Sequence, residues 1–421
     1  MTAEGASRAE EREAAAASAE RALDRAAVEQ IDRELLVRDV EALPHQLEDA
    51  LWRVDSAGIA DRERGGGLTV CGMGGSAIGG DLAAAAIGSR ARGPLRTVRG
   101  SALPPGASHA LVLCASYSGE TEETLACFEA AGAAGAERVA LTTGGSLAAR
   151  AREEGVPVIG VPSGMQPRAA VAYMLVGALE CAALSRAAPS LRDEIAGASR
   201  LLARLVGEWG PDAPEDALPK RLARRLHGRV AAVYGAGKTA PVAFRWKTQL
   251  NENAKVPAFS AELPEADHNE LSGWEGAPGL GPFAALFLDD PGADERLRAR
   301  LELTAREVGA AVDRVEQVPA HGETTLERIC SAVLLGDLVT IYLAVLRGVD
   351  PTPVEAIERF KRALADAAPA APGEKPKGAT SRAAGPPPPI EGEPSPRSEE
   401  IAGARDRRAG WRRHTRASEG P

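Results

Sequence analysis

Aromatic residues are scarce in this chain: Phe, Trp and Tyr make up 4% of its 421 positions. Its cores must therefore be built mostly from Ala, Leu and Val, and the hydrophobic share of 44% fits a soluble globular protein. Cysteine is sparse too, with five: Cys71, Cys114, Cys127, Cys181 and Cys330. Their number is odd, no Cys-x-x-Cys pair occurs, and most lie in apolar stretches. Buried thiols in a reducing cytoplasm are expected, rather than disulfides or a zinc site. No His-x-His or His-x-x-x-His spacing exists, so no metal centre is expected. Residues 1–20 lack an apolar h-region, and no uninterrupted run of 18 apolar residues exists. Neither a signal peptide nor a membrane span is therefore expected. The formal net charge of -9 argues against nucleic acid as the main partner. It does not exclude an anionic small ligand, because local donors rather than net charge make such a site.

What is present is a repeated strand–loop–helix pattern. Apolar runs at 68–72, 110–115, 138–143 and 156–159 read as strands, with the first three followed by Gly- or Ser-rich loops and then helical patterns. This implies a parallel sheet with helices on both faces. Two short helices precede it, one from Val28 and one opened by Pro44. Pro167 opens an apolar helix to about residue 185, and 206–219 reads as a connection. The plan then repeats: strands at 229–235 and 284–288, helices at 241–250, 302–310, 325–347 and 353–365. The expectation is an α/β protein with a flexible extension over 1–27 and domains at 28–205 and 220–366. A disordered Pro/Arg-rich tail is expected over 367–421, where Pro386–Pro389 and an Arg cluster leave too little to bury.

Several loops invite a ligand. Gly72-Met73-Gly74-Gly75-Ser76-Ala77 fits G-x-G-x-x-A after a strand. A dinucleotide site would want an acid about 20 residues on. No Asp or Glu occurs between Leu82 and Gly119, and Arg99 leaves only a small opening for a 2′-phosphate. The loop reads better as backbone open to close approach at Gly75, with Ser76 as a hydroxyl donor. Gly235-Ala236-Gly237-Lys238-Thr239 resembles the end of a P-loop, but position 232 is Ala where that motif needs Gly, so an ordinary turn is expected. Ser116-Tyr117-Ser118-Gly119-Glu120-Thr121 is a stronger signal. Its hydroxyls stand at a helix start, where free N–H groups and the dipole favour a phosphate. Plain N-capping by Ser118 or Thr121 is the competing account, and the two are compatible. Arg168, just after Pro167, sits at a helix start where a cation is unfavourable, so it is either solvated or an anion clamp.

The densest cluster of functional side chains is Asn251-Glu252-Asn253-Ala254-Lys255, followed by Asp267-His268-Asn269-Glu270. Glu252 and His268 are 16 residues apart in a Pro-punctuated polar segment. Glu and His are common general acid–base groups. A phosphate cradle beside such a pair suggests isomerisation of a sugar phosphate.

At these residues the chain resembles the bifunctional phosphoglucose/phosphomannose isomerase family, built from two SIS domains with flavodoxin-like parallel sheets. The resemblance runs from about 40 to 365. It is carried by 72–81, 116–124, Gln166-Pro167-Arg168, Arg245-Trp246-Lys247 through Asn253, 264–270, and Asp350-Pro351-Thr352 leading to Lys361. It implies that Ser76, Ser116, Ser118 and Thr121 hold the phosphate, and that Glu252 moves a proton between C1 and C2. Arg168 would stabilise a cis-enediolate, and His268 would help open the ring, reaching in from the other subunit of a homodimer. Lys361 would assist ring or proton chemistry, and Gly75 and Thr352 would contact substrate. The implied substrates are glucose 6-phosphate and mannose 6-phosphate, interconverted with fructose 6-phosphate without metal or cofactor. A non-catalytic sugar-phosphate sensor, or an isomerase of another sugar phosphate, is the alternative.

Overall fold

The computed structural model describes residues 21–367. Of the flexible extension expected over 1–27, residues 21–27 are described and packed, with Leu23 fully buried and a helix starting at Arg25; residues 1–20, and the expected tail beyond Ala367, lie outside the described residues. Three helices lead in: α1 (Arg25–Ile31), α2 (Leu36–Glu41) and α3 (Leu43–Ser56). The first sheet holds β1 (Leu68–Cys71), β2 (Leu95–Val98), β3 (Leu111–Ala115), β4 (Glu137–Thr142) and β5 (Val158–Gly160). All pair in parallel, in the order β2-β1-β3-β4-β5. β1 and β3 are buried at every position, as expected of strands covered on both faces. Their helices are α4 (Gly74–Ile87), α5 (Glu122–Ala133), α6 (Gly145–Glu153) and α7 (Val171–Leu184).

The second half repeats the plan. α8 (Arg192–Trp209) and α9 (Leu218–Leu226) lead to β6 (Val230–Ala236), α10 (Ala240–Glu252) and β7 (Ala258–Leu263). After α11 (Glu270–Trp274) come β8 (Phe283–Asp289), α12 (Glu295–Gly309), β9 (Arg314–Pro319) and α13 (Thr325–Arg347). This sheet is also parallel, in the order β7-β6-β8-β9. Both orders reverse direction beside their first strand, where open parallel sheets bind ligands at the carboxyl ends of the strands. The connection expected over 206–219 is shorter. Residues 206–209 complete α8, because Trp209 is buried and its carbonyl accepts from the Tyr342 hydroxyl at 2.7 Å.

Two segments, Pro167–Leu184 and Thr325–Arg347, have the length and composition to cross a membrane, but 83% and 100% of their most apolar 18-residue stretches are buried inside the fold. Packing thus accounts for their apolar character. α13 is bounded as its sequence suggests, by a Thr324–Glu327 capping box and by Gly348 in the left-handed region at φ 68°. α10 lies close against it. Trp246 is fully buried and donates its indole N–H to the Ala332 carbonyl at 2.8 Å. A Cβ at Gly336 would stand 2.3 Å from that indole nitrogen, so only glycine lets the helices approach so closely. Residues through Glu355 form one compact unit that holds both sheets, and a second unit begins at Ala356. The last described helix, α14 (Glu355–Ala367), runs into that second unit.

Candidate active site

The two hydroxyl-bearing turns flank the reversal point of the first sheet. β1 ends at Cys71, and α4 begins at Gly74, four residues before the apolar pattern from Ile78 suggests. Ser76 therefore lies in the first helical turn, buried, and its Oγ accepts from the Tyr117 N–H at 3.2 Å. β3 ends at Ala115, and Ser116 to Thr121 form the turn into α5. Ser116 Oγ accepts from the Gly119 N–H at 3.0 Å and lies 2.9 Å from Thr121 Oγ1. Ser118 is exposed, and its Oγ accepts from the Glu120 N–H at 3.2 Å. Thr121 stands at the N-cap of α5 without making a side-chain capping bond, and Met73 at the start of α4 makes none either. Two helix starts thus converge with their first-turn N–H groups free of side-chain caps, which suits an anion. Glu122 and Glu123 in the first turn of α5 partly oppose one.

The equivalent crevice of the second sheet is different. There the P-loop-like residues form a tight turn in which the Thr239 hydroxyl donates to the Ala236 and Leu288 carbonyls, each at 3.2 Å. Opposite stand Asp289 and Asp290, the latter paired with Arg328 at 2.6 Å. Two carboxylates there would repel a phosphate. Arg99, at the end of β2, pairs with Asp81 instead of standing ready for a nucleotide phosphate. Size does not mark the site: a cavity of about 680 Å³ lies at the amino ends of the first sheet's strands, lined by Arg62, Arg64, Arg96 and His109.

Arg168 joins the start of α4 to α10. A Cβ on Gly75 would stand 3.2 Å from the Arg168 Cα, so the start of α4 rests directly on that backbone. The Arg168 side chain is 4% exposed. Its Nε donates to Asn253 Oδ1 at 2.6 Å, and its Nη2 donates to the Pro351 and Thr352 carbonyls at 2.8 and 2.9 Å. Its Nη1 stands 3.7 Å from Glu252 Oε2. Burial lowers its pKa, and Glu252 opposes that shift. The charge persists because a guanidinium starts so high. Beneath it runs a polar stripe on α10. Arg245, Gln249 and Asn253 recur every four residues and so share one face. Arg245 donates to the Arg168 carbonyl at 2.9 Å and pairs with buried Asp337 at 2.7 Å. Gln249 donates to Asp337 at 3.1 Å, and Asn253 to Thr340 at 2.9 Å. Asp337 and Thr340 lie one turn apart on α13.

The segment from 251 to 270 is not one loop. Asn251 and Glu252 form the last turn of α10, and β7 intervenes before His268. The Ala258 N–H donates to Asn251 Oδ1 at 3.1 Å, fixing the end of α10 to the start of β7. His268 is exposed on the 3-10 turn Glu265–His268 that follows the far end of that strand. Six residues of β7 span about 20 Å, so Glu252 and His268 of one chain stand at opposite ends of the second sheet. Thr352 is near Glu252, because its carbonyl accepts from the same guanidinium, and its Oγ1 is buried with no hydrogen-bond partner. Lys361 is exposed on α14, in the unit that begins at Ala356.

Sequence reasoning missed Asp337, Thr340 and Gln249, although an aspartate amid the apolar run 325–347 is itself a signal. It also missed Asp32, which is buried beside Arg168 and accepts from the Leu36 and Val37 N–H groups at 2.9 and 2.7 Å. Among the described residues no group of three or more His, Cys, Asp or Glu could hold a metal ion.

The family model for the bacterial phospho-glucose isomerase C-terminal SIS domain matches residues 215–364. A bifunctional phosphoglucose/phosphomannose isomerase from Caldicellulosiruptor bescii is 37% identical over 303 residues, covering 71% of this chain and 89% of that one. The chain belongs to the bifunctional phosphoglucose/phosphomannose isomerase family. Another bifunctional phosphoglucose/phosphomannose isomerase, from Aquifex aeolicus, is 35% identical over 300 residues, covering 71% of this chain and 90% of that one. The fold of this family member is shared by a glucose-6-phosphate isomerase like protein from Thermus thermophilus, with a TM-score of 0.57 and 20% identity over 81% of this chain and 99% of that one.

If the hydroxyl turn of this isomerase-family chain holds phosphate, the double variant Ser116→Ala/Thr121→Val will bind inorganic phosphate about tenfold more weakly, the loss of two neutral hydrogen bonds. Titration calorimetry reads this directly. Unchanged affinity would remove the turn from the site.

Proposed function

We propose that this protein interconverts glucose 6-phosphate and mannose 6-phosphate with fructose 6-phosphate. The observation that carries the reading is the pairing of Glu252 with the buried Arg168 guanidinium at 3.7 Å, on backbone that rests against the hydroxyl-lined phosphate turn through Gly75. The phosphate is held by Ser76, Ser116, Ser118 and Thr121 and by the starts of α4 and α5. Glu252 takes a proton from C2 of the open-chain aldose and returns it to C1, and the reverse reaction exchanges the two carbons. The resulting cis-enediolate is negatively charged. Arg168, fixed by Asn253 and by two carbonyls, offers a preorganised positive charge with little reorganisation. One carboxylate suffices for both transfers, so the step uses this chain's own residues and no bound metal. Return of the proton to either face of C2 accounts for both aldoses. The Thr352 hydroxyl, buried without a partner, is available to substrate after a small movement.

The active enzyme is a homodimer with shared sites. The separation of Glu252 and His268 along β7 supports this, because a second copy has to supply the imidazole for ring opening. All five cysteines are buried and free, which supports work in the reducing cytoplasm. The pairing of half-buried Glu252 with buried Arg168 favours an enzyme over a sugar-phosphate sensor, which would need only the phosphate turn.

With chelator present, the wild type is expected to turn over both aldoses. Glu252→Gln should lose activity by at least about 10³-fold while still binding fructose 6-phosphate. Binding of all three sugar phosphates without turnover by the wild type would instead support the sensor. The dimer has its own test. Glu252→Gln and His268→Gln chains, each nearly inactive alone, should recover about one quarter of wild-type activity when co-refolded, since half the dimers then hold one intact site. No recovery, with heterodimers present by mass spectrometry, would place both residues in one chain's site.

A further inference from the structure

Lys255 has no role in the chemistry above, yet it stands inside the site. It follows the last residue of α10 by three positions, and its backbone is left-handed, with φ 56°. Few residues other than glycine take that conformation, and it costs a lysine energy. Here it turns the side chain back on the helix end. Lys255 Nζ donates to the Glu252 carbonyl and, at 3.0 Å, to the Pro351 carbonyl. The Pro351 carbonyl also accepts from Arg168 at 2.8 Å. Two carbonyl oxygens repel each other, so a donor between them holds the Glu252 carbonyl against the 350–352 loop, beside Arg168, which ties Asn253 to the same loop. The charged groups facing this ammonium are Arg168, Glu252 and Asp350. Arg229 and Arg347 line the cavity that Lys255 also lines.

We propose that Lys255 is a positioning residue for the isomerase: its ammonium clamps the Glu252 backbone to Pro351 and so sets where the Glu252 carboxylate stands relative to Arg168 and substrate. The inference rests on the isomerase reading. A small misplacement of a base is costly in rate and much less so in binding, since the phosphate is held elsewhere. The clamp is also sensitive to pH. Burial and Arg168 lower the Lys255 pKa to about 8, with Asp350 and Glu252 opposing. The amine is therefore charged below that pH and neutral above it, where it is a weaker donor with one fewer hydrogen. Turnover of the wild type should fall as pH rises through that value.

The test is steady-state kinetics of the full chain on fructose 6-phosphate from about pH 6 to 10, for wild type, Lys255→Met and Lys255→Arg. The methionine variant should lose about tenfold in kcat, with KM moved by less than about threefold, and should show no alkaline limb near the lysine's pKa. The arginine variant should recover most of kcat and stay active where the wild type has declined, because a guanidinium keeps its charge. A methionine variant with unchanged kcat, or one slowed but keeping the wild-type alkaline limb, would overturn the assignment. If the methionine variant does not fold, the arginine variant decides alone, an unmoved limb counting against the clamp. Absence of wild-type turnover would remove the isomerase reading itself, whereas wild-type turnover with unmoved limbs removes only the role of Lys255.

Discussion

A buried guanidinium has to be satisfied on every side, and in this protein that requirement assembles the site. Desolvating a charge costs several kcal/mol, about what the surrounding hydrogen bonds and partial charges must offset. Arg168 meets it with Asn253, the Pro351 and Thr352 carbonyls, and Glu252. These come from stretches of chain far apart in sequence. Each is itself held: Asn253 by Thr340, the Arg168 carbonyl by Arg245, and Arg245 by Asp337. Glu252, Arg168 and the loop that carries Thr352 are thus fixed to one another by a network that no single segment could make alone.

The two sheets share the order of their first four strands, yet among the described residues their crevices differ in charge and in hydroxyls. In the first sheet, two helix starts meet among serine and threonine hydroxyls. In the second, Asp289 and Asp290 occupy the corresponding place, and Thr239 is committed to backbone carbonyls. What the second half contributes is α10, whose far end carries Glu252. The site therefore uses the carboxyl ends of the strands in one sheet and the opposite end of the other. That asymmetry also sends His268, beyond β7, away from Glu252 of its own chain.

Much of this was legible in the residues, and the gaps have physical causes. Buried parallel strands such as β3 announce themselves as continuous apolar runs, and α13 is marked by Thr324, Glu327 and Gly348. The hydroxyl turn after β3 was readable because Ser and Thr cluster at a helix start. β2, β7 and β9 were not, because all three are edge strands whose residues are partly exposed, with Phe259 60% exposed and Arg96 and Arg314 turned to solvent. Overlooking β7 made Glu252 and His268 look like neighbours on one loop. The four-residue stripe Arg245-Gln249-Asn253 was hidden for another reason. Polar residues on a helix normally signal a solvated face, and only the packing of α10 on α13 turns this one inward.

In the proposed reaction Glu252 moves a proton that solvent can reach between two carbons. The most direct test is turnover of glucose 6-phosphate to fructose 6-phosphate in deuterium oxide, followed by NMR of the product and the recovered substrate. A carboxylate base exchanging with solvent predicts deuterium at C1 of the product and at C2 of recovered glucose 6-phosphate, with neither label appearing when Glu252 is replaced by Gln. Product formed by the Glu252→Gln variant at the wild-type rate, with the original hydrogen fully retained at C1, would indicate direct hydride transfer between the carbons, and would contradict the role given to Glu252.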